Sequence, residues 1–412
     1  MTHPKELIGS AGERIAKHRK GDIAIRAVGS DGRPAAGRHM LLEQQTHQFL
    51  FGCNIYKLNP EDRTDEQMLY RQRFRDLLNY ATLPFYWGGY EPQQGNTQEP
   101  RLRAMAEWCR ASGIRTKGHP LVWHEVWPKW APATRHPAQE LLEARVRCIV
   151  AGFRGLIDCW DVINESTVSH RYDNGVGDWV KQEGCAAVAA RSVECAREAN
   201  PDAVLLVNDF NVSPEYEAQI GEMARGAGRP DVVGIQSHMH GGEWPLERAW
   251  DVCETYARFG LPLHFTETTV LSGKLIPHDV PFNDANWEDW PSTAEGEERQ
   301  LRYVEALYTL LFSHPAVEAV TWWDLTDGCW KKAPAGLVRR DLSPKPAYER
   351  LRELIWREWR TRCEVITDAA GEARVRGFYG SYLARDGADL CHTTAFEHLR
   401  GAVPSRVTLQ VR

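Results

Sequence analysis

Two carboxylates stand where apolar runs stop. The stretch Leu156–Thr167 reads LIDCWDVINEST, a β-leaning run that ends abruptly in Asn164-Glu165. Asn and Glu form strands poorly, and an ionised Glu is rarely buried without a partner. A second run, Leu261–Phe265, gives way to Thr266-Glu267. At the C-terminal mouth of a barrel strand such residues make sense, because active sites sit there. As caps of ordinary loops they would carry no chemistry. Two positioned carboxyl groups suit glycoside hydrolysis, in which one protonates the leaving oxygen and the other acts at the anomeric carbon. Asn164 is placed to hold a sugar hydroxyl beside the reacting carbon. Trp323 is placed to form an apolar wall under the ring.

Polar and aromatic residues gather after other runs too: Gly118-His119-Pro120-Leu121-Val122-Trp123-His124, Gln236-Ser237-His238-Met239-His240, and Trp322-Trp323. One polar strand end is commonly structural, whereas several on one face make a site. The histidines allow a different reading, since His238-x-His240 with His119 and His124 would suit a metal at a barrel mouth. No Asp or Glu that would complete such a ligand set is evident, and His, Gln and Asn serve sugar hydroxyls well. We therefore expect no metal and no cofactor.

The elements that must position these residues repeat. Near-continuous apolar runs, as in parallel strands buried on both faces, occupy Phe49–Tyr56, Tyr80–Tyr86, Ile114–Gly118, Leu156–Ile163, Ala203–Val207, Val232–Ile235, Leu261–Phe265 and Val317–Trp323. Helix-like segments alternate with them: Asp65–Leu78, Arg101–Ser112, Pro137–Phe153, Trp179–Ala199, Glu215–Ala227, Leu246–Phe259, Gly296–Phe312 and Pro346–Trp356. Such βα repetition predicts an α/β (β/α)8 TIM barrel over residues 48–358. A doubly wound open sheet is disfavoured, because no Gly-rich fingerprint follows an early strand.

Residues 1–47 read as a short helix over 12–20 and a hairpin of Asp22–Val28 with Arg38–Gln45 about Ser30-Asp31-Gly32. Residues 359–412 read as a second hairpin, Cys363–Ile366 with Ala373–Tyr379, and a last strand at Val407–Val411. The two arms are expected to form a small β-rich appendage on the barrel that ties the termini together; a carbohydrate-binding module is the functional alternative. Lys274–Glu295, with Trp287 and Trp290, is long for a barrel loop. It is expected either to shape the site or to be a solvated insertion.

Composition narrows the classes. Of 412 residues, 42% are hydrophobic and 26% charged, which fits a soluble globular chain. A net charge of −6 argues against nucleic-acid or anionic-membrane partners. No stretch is long and apolar enough to span a bilayer, and the N-terminus has no apolar signal core. The 10 Cys show no CxxC or Cys/His ligand spacing, as for free thiols in a reducing compartment. A cytoplasmic monomer is expected, or a secreted one if a leader has been trimmed. The 16 Trp offer flat faces for sugar rings, although several must simply be core.

Six short motifs lie in register: WDVINE at 160–165, GHPLVWH at 118–124, VNDFN at 207–211, GIQSH at 234–238, FTE at 265–267 and SPKPAY at 343–348. Together, over roughly residues 48–358, they resemble the family 10 glycoside hydrolases, the retaining β-1,4-xylanases. The resemblance implies that Glu165 is the general acid/base and Glu267 the nucleophile. It implies that Asn164 binds a hydroxyl of the reacting sugar, that His119 and Trp123 line the same subsite with His124 supporting them, and that Gln236 and His238 hold Glu267 and the sugar. Trp323 and Trp330 would be floor and wall.

Two departures stand out. Family members usually carry a Glu-Asn pair and a Lys after the second strand, on the glycone side. Here that loop is Pro84-Phe85-Tyr86-Trp87-Gly88-Gly89-Tyr90-Glu91-Pro92, so Trp87 and its aromatic neighbours are expected to contact the glycone instead. The nucleophile is usually followed by Leu-Asp, whose Asp supports the sixth-strand His; here Thr268-Thr269 follow it. The expected function is retaining hydrolysis of β-1,4-linked xylan or xylo-oligosaccharides by double displacement. The alternatives are a relative acting on another or a decorated β-linked glycan, and a non-catalytic glycan-binding barrel. The presence of both Glu argues against the last.

Overall fold

In the computed structural model, residues 4–277, 279–280, 285, 287, 289–387, 393–401 and 405–411 are described. Strands β1 (Lys20–Val28) and β2 (His39–His47) come first. Eight parallel strands follow: β3 (Leu50–Asn54), β4 (Tyr80–Pro84), β5 (Arg115–His119), β6 (Cys159–Asn164), β7 (Val204–Asp209), β8 (Val232–Met239), β9 (Leu263–Val270) and β10 (Val317–Trp322). They close into one barrel in chain order, with β10 beside β3. Strands β11 (Arg362–Ile366), β12 (Glu372–Phe378), β13 (Gly380–Asp386), β14 (Thr393–His398) and β15 (Ser405–Gln410) end the chain. Two compact units result, one of Met1–Leu50, Tyr308–Pro315 and Glu349–Arg412, the other of Phe51–Leu307 and Ala316–Tyr348.

The barrel is the expected (β/α)8 fold, and its strands are mostly buried, as the apolar runs require, with Arg115 of β5 and Glu318 of β10 exposed near the strand starts. Every residue of β3, β6 and β9 is buried. The strands outrun the apolar stretches at the mouth. β7 continues through Asn208-Asp209, β8 to Met239 and β9 to Val270. Polar residues are tolerated there because they pair across strands: Ser237 and Thr268 hydroxyls lie 2.9 Å apart, and Asn208 reaches Glu267. The segment expected as one helix over 179–199 is two, Gly175–Glu183 and Cys185–Ala199. Gly184 breaks it with φ 85° and ψ 156°, a conformation open to little but glycine.

The other unit corrects the reading of the arms. β1 and β2 are not a hairpin, and neither are β11 and β12. β1 lies between β12, antiparallel, and β15, parallel. β2 lies between β11 and β13, with β14 beyond β13. The arms thus form two sheets of three and four strands. Ile23, Ile25 and Ala27 of one face and Met40, Leu42, Tyr382 and Ala384 of the other share a single core with Val407 and Leu409. Alternating burial along β1 and β13 fits one wet and one packed side. Among the described residues no helix is long and apolar enough to cross a membrane.

Candidate active site

Glu165 sits at the turn between β6 and a short 3-10 helix, Ser166–Arg171. Its backbone is left-handed, with φ 54° and ψ 41°. A side chain with a Cβ adopts that region at a cost of about 1–3 kcal/mol, and such strain gathers at functional sites. Its N–H donates to Asn208 O at 2.8 Å, which fixes the turn. One carboxyl oxygen accepts from Trp123 Nε1 at 3.0 Å and the other from Gln236 Nε2 at 2.9 Å. Burial, then the charge of Glu267, pushes this carboxyl up to about 8, against the hydrogen bond from Gln236. His124 supports that state. Ser169 Oγ donates to Glu165 O, so it must accept from His124 Nδ1 at 2.8 Å. The bare Nε2 lone pair is left facing Glu165 Oε2 at 3.9 Å. Burial also holds His124 down at about 4, so the ring is neutral.

Glu267 lies within β9 and is buried. Burial opposes its ionisation, yet the His238 hydrogen bond and the charges of His119, His238 and Lys117 together hold it below the usual carboxylate range. Asn208 Nδ2 donates to Oε1 at 2.9 Å, and His238 Nε2 lies 3.1 Å from Oε2. Thr269 Oγ1 donates to Trp323 O at 2.9 Å and so accepts from His238 Nδ1 at 2.8 Å. His238 is therefore held by a neutral hydroxyl on one side, with its Nε2 against the carboxylate on the other. His119 Nε2 is 3.8 Å from Glu267 Oε1, and its Nδ1 is held at 2.7 Å by Asp161. Lys117 Nζ lies 2.6 Å from the same Asp161 oxygen, and all three side chains are buried. The two carboxyls belong to one network. Asn164 Oδ1 accepts from Asn208 Nδ2 at 2.8 Å and from Gln236 Nε2 at 3.2 Å, between Glu267 on one side and Glu165 on the other.

Aromatic rings bound the opening. Trp323 stands edge-on to His119, ring centres 5.4 Å apart, and Trp330 stacks on His238 at 5.1 Å. Gly118 lets β5 pass Trp160, since a Cβ there would lie 2.1 Å from the indole.

A family model described as glycosyl hydrolase family 10 matches residues 42–354. The chain belongs to glycosyl hydrolase family 10. The anti-sigma-I factor RsgI6 of Acetivibrio thermocellus is 27% identical to it over 92% of this chain and 46% of its own length. Endo-1,4-beta-xylanase 2 of Arabidopsis thaliana is 25% identical over 88% and 32%, and endo-1,4-beta-xylanase B of Thermotoga neapolitana 26% identical over 65% and 78%. The chain thus spans less than half the length of the first two. The fold matches that of native xylanase 10B from Thermotoga maritima, with a TM-score of 0.63 at 23% identity, over 76% of this chain and 96% of that one.

Of the site residues expected from sequence in this family 10 chain, Glu165, Glu267, His119, Trp123, His124, Asn164, Gln236, His238, Trp323 and Trp330 meet at the barrel mouth. Trp87 does not. It is buried, donates Nε1 to Glu91 at 2.9 Å and packs edge-on against Trp127 and Trp130. Tyr90 likewise stacks on Phe85. The residue of that loop that faces the site is Tyr86, whose ring lies 5.4 Å from His119 and 5.3 Å from Trp123. Asn208, Thr269 and the Lys117–Asp161 pair also escape a reading of single strand ends. The spacing Lys117-x-His119 is the one available signal, since alternate strand residues share a face. Among the described residues no group of three His, Cys, Asp or Glu is arranged for a metal; His119, His124 and His238 are committed to Asp161, Ser169 and Thr269.

The described part of the 274–295 loop makes a cluster of its own. Trp290 is buried with Leu271, Ile276 and Ala333, and donates to Lys274 O. Trp287 packs edge-on against it at 4.4 Å. Residues 278, 281–284, 286 and 288 lie outside the described residues.

Proposed function

We propose that this chain is a retaining β-glycosidase that cleaves β-1,4-linked xylose chains. The observation that carries the reading is the pair of carboxyls at one barrel mouth, joined through Asn208, Asn164 and Gln236, with surroundings that push one pKa up and the other down. Glu165, held protonated to about pH 8, gives its proton to the leaving oxygen. Glu267, held ionised, attacks the anomeric carbon to form a glycosyl ester. The ionised Glu165 then takes a proton from water, which opens the ester and restores both groups. His238 and Asn208 keep Glu267 aimed, and Asn164 offers its amide to the sugar hydroxyl beside the reacting carbon. The family membership and the relatives named xylanases support the backbone assigned here.

The test is hydrolysis of defined β-1,4-xylo-oligosaccharides followed by proton NMR during the first turnovers. The β-anomer should form first. Initial release of the α-anomer, or no cleavage of any β-1,4-xylo-oligosaccharide, would overturn the proposal.

A further inference from the structure

One cavity, of about 690 Å³, plays no part in the chemistry above. It lies at the seam where β10 closes on β3 and shares one wall with the active site. That wall is Tyr56, whose ring stands edge-on to Trp323 at 5.4 Å and whose hydroxyl donates to Tyr86 at 3.3 Å. Inside are Asn54, Asp324 and Thr326, all buried. Thr326 Oγ1 has no hydrogen-bond partner among the described residues, and the Asn54 amide has only the Asp324 carboxyl of the same cavity to turn to. Buried polar atoms are nearly always satisfied, and leaving one unpaired costs about 1–3 kcal/mol. An unpaired hydroxyl beside an amide that one carboxyl only partly occupies points to a ligand that supplies hydroxyls.

The charges specify the ligand further. Asp327 on the wall is neutralised by the buried Lys345 at 2.6 Å. Burial pushes Asp324 up to about 7, although the Asn54 amide and the Lys57 charge favour its ionised form. Against this half-neutral carboxyl stand Lys57, Lys332 and Arg340, all exposed at the opening. The chain carries a net charge of −6, so this opening reverses its general sign. Cationic donors with free solvent access suit a carboxylate.

Position gives the orientation. Glu165 ends β6, and the leaving group lies on the side of the acid that protonates it. The seam of β10 and β3 is across the barrel from β6 in the closed strand order, on the side left to the glycone. We propose that this cavity takes a uronic-acid branch carried by the glycone, with ring hydroxyls on Asn54 and Thr326 and the carboxylate at Lys57, Lys332 and Arg340. The proposal rests on the glycosidase reading for its substrate, and its test separates the two.

Three probes decide it: plain xylotetraose, xylotetraose with a glucuronosyl branch on the non-reducing-end xylose, and the carboxyl-reduced form of the latter. The wild type should show kcat/KM about tenfold higher on the acidic probe than on its reduced twin, the worth of a charge-assisted hydrogen bond. In the Lys57→Gln/Lys332→Gln double variant the ratio should fall to near one, with kcat/KM on plain xylotetraose unchanged. Equilibrium binding of the same probes to Glu267→Gln protein reads the cavity without turnover and should show the same ratio. Cleavage with an acid-to-reduced ratio of one overturns the cavity assignment alone, as does a ratio that survives the double variant. No cleavage, with tenfold tighter binding of the acidic probe, overturns the catalytic reading and sustains the cavity.

Discussion

Glu165 and Glu267 carry the same side chain in opposite states, and their neighbours explain why. Glu165 is largely enclosed, with the charge of Glu267 and the lone pair of His124 against it, whereas Glu267 faces His238 and His119. Activity should therefore fall as pH rises through about 8, where the acid loses its proton, and again as pH falls below the lowered pKa of Glu267. A kcat/KM profile whose alkaline limb lies below pH 6 would contradict the assignment. Gln236→Ala removes a hydrogen bond that favours the charged form of Glu165, so the alkaline limb should move up. Glu267→Ala should lose on the order of 10⁴-fold or more in kcat. Glu165→Ala should spare aryl xylosides with good leaving groups, which need no proton, and wild-type rates on xylo-oligosaccharides would refute its role. Stability follows the same raised pKa. As pH climbs from about 4.3, the unfolded chain releases the Glu165 proton before the native chain does, so stability falls up to about 8 and stays lower above it. Glu165→Gln should thus raise Tm at pH 8 and leave it nearly unchanged at pH 4; equal shifts at both would count against the buried acid. The two carboxyls are legible in sequence because each interrupts an apolar run. Asn208 is not, because its partners lie 44 and 59 residues away along the chain and only barrel closure brings them to it.

Neighbouring residues on one turn can have unlike fates. In the turn Trp87–Tyr90, Gly88 N donates to Val126 O at 2.7 Å, and a Cβ on Gly88 would meet that oxygen at 2.6 Å. So pinned, Tyr86 faces the site and Trp87 is driven into a pocket of Trp127, Trp130 and Arg145. Sequence shows that the loop is aromatic, but a type-by-type reading has no means of telling which ring turns inward. Trp87→Ala should destabilise by about 3–5 kcal/mol, as large core truncations do, while Tyr86→Ala should change kcat/KM with a much smaller loss. Urea titrations and kinetics on both variants check this, and the reverse pattern would return Trp87 to the site. On β9, Thr269→Val deletes the acceptor of His238 Nδ1. It should lower kcat and reshape the acidic limb, with Thr269→Ser restoring both; an unaltered pH profile would make Thr269 packing only. The barrel strands are legible because burial on both faces removes ambiguity. The arms are misread because turn residues and alternation mark strands but do not say which strand is the partner.

At the scale of the molecule, one unit is a closed barrel and the other a pair of sheets whose core joins both arms. Val407 and Leu409 lie in that core with Ile23 and Ile25, so a chain ending at Leu399 should melt several degrees lower, and an unchanged calorimetric trace would deny β15 a structural part. The strand arrangement also orders events in time. β1 has β12 and β15 as its strand neighbours, and neither is made before Glu372; until then only its last residues, Ala27 and Val28, have a companion, at Pro34-Ala35. During synthesis it must wait, with bare N–H and C=O groups and apolar side chains, while the entire barrel leaves the ribosome; such an open edge invites pairing with another chain. Nascent chains stalled before residue 372 should be cut by protease within residues 20–28 and those stalled beyond 411 protected. Protection at the earlier length would mean that β1 finds a temporary companion, and the search for a chaperone contact would begin at that strand.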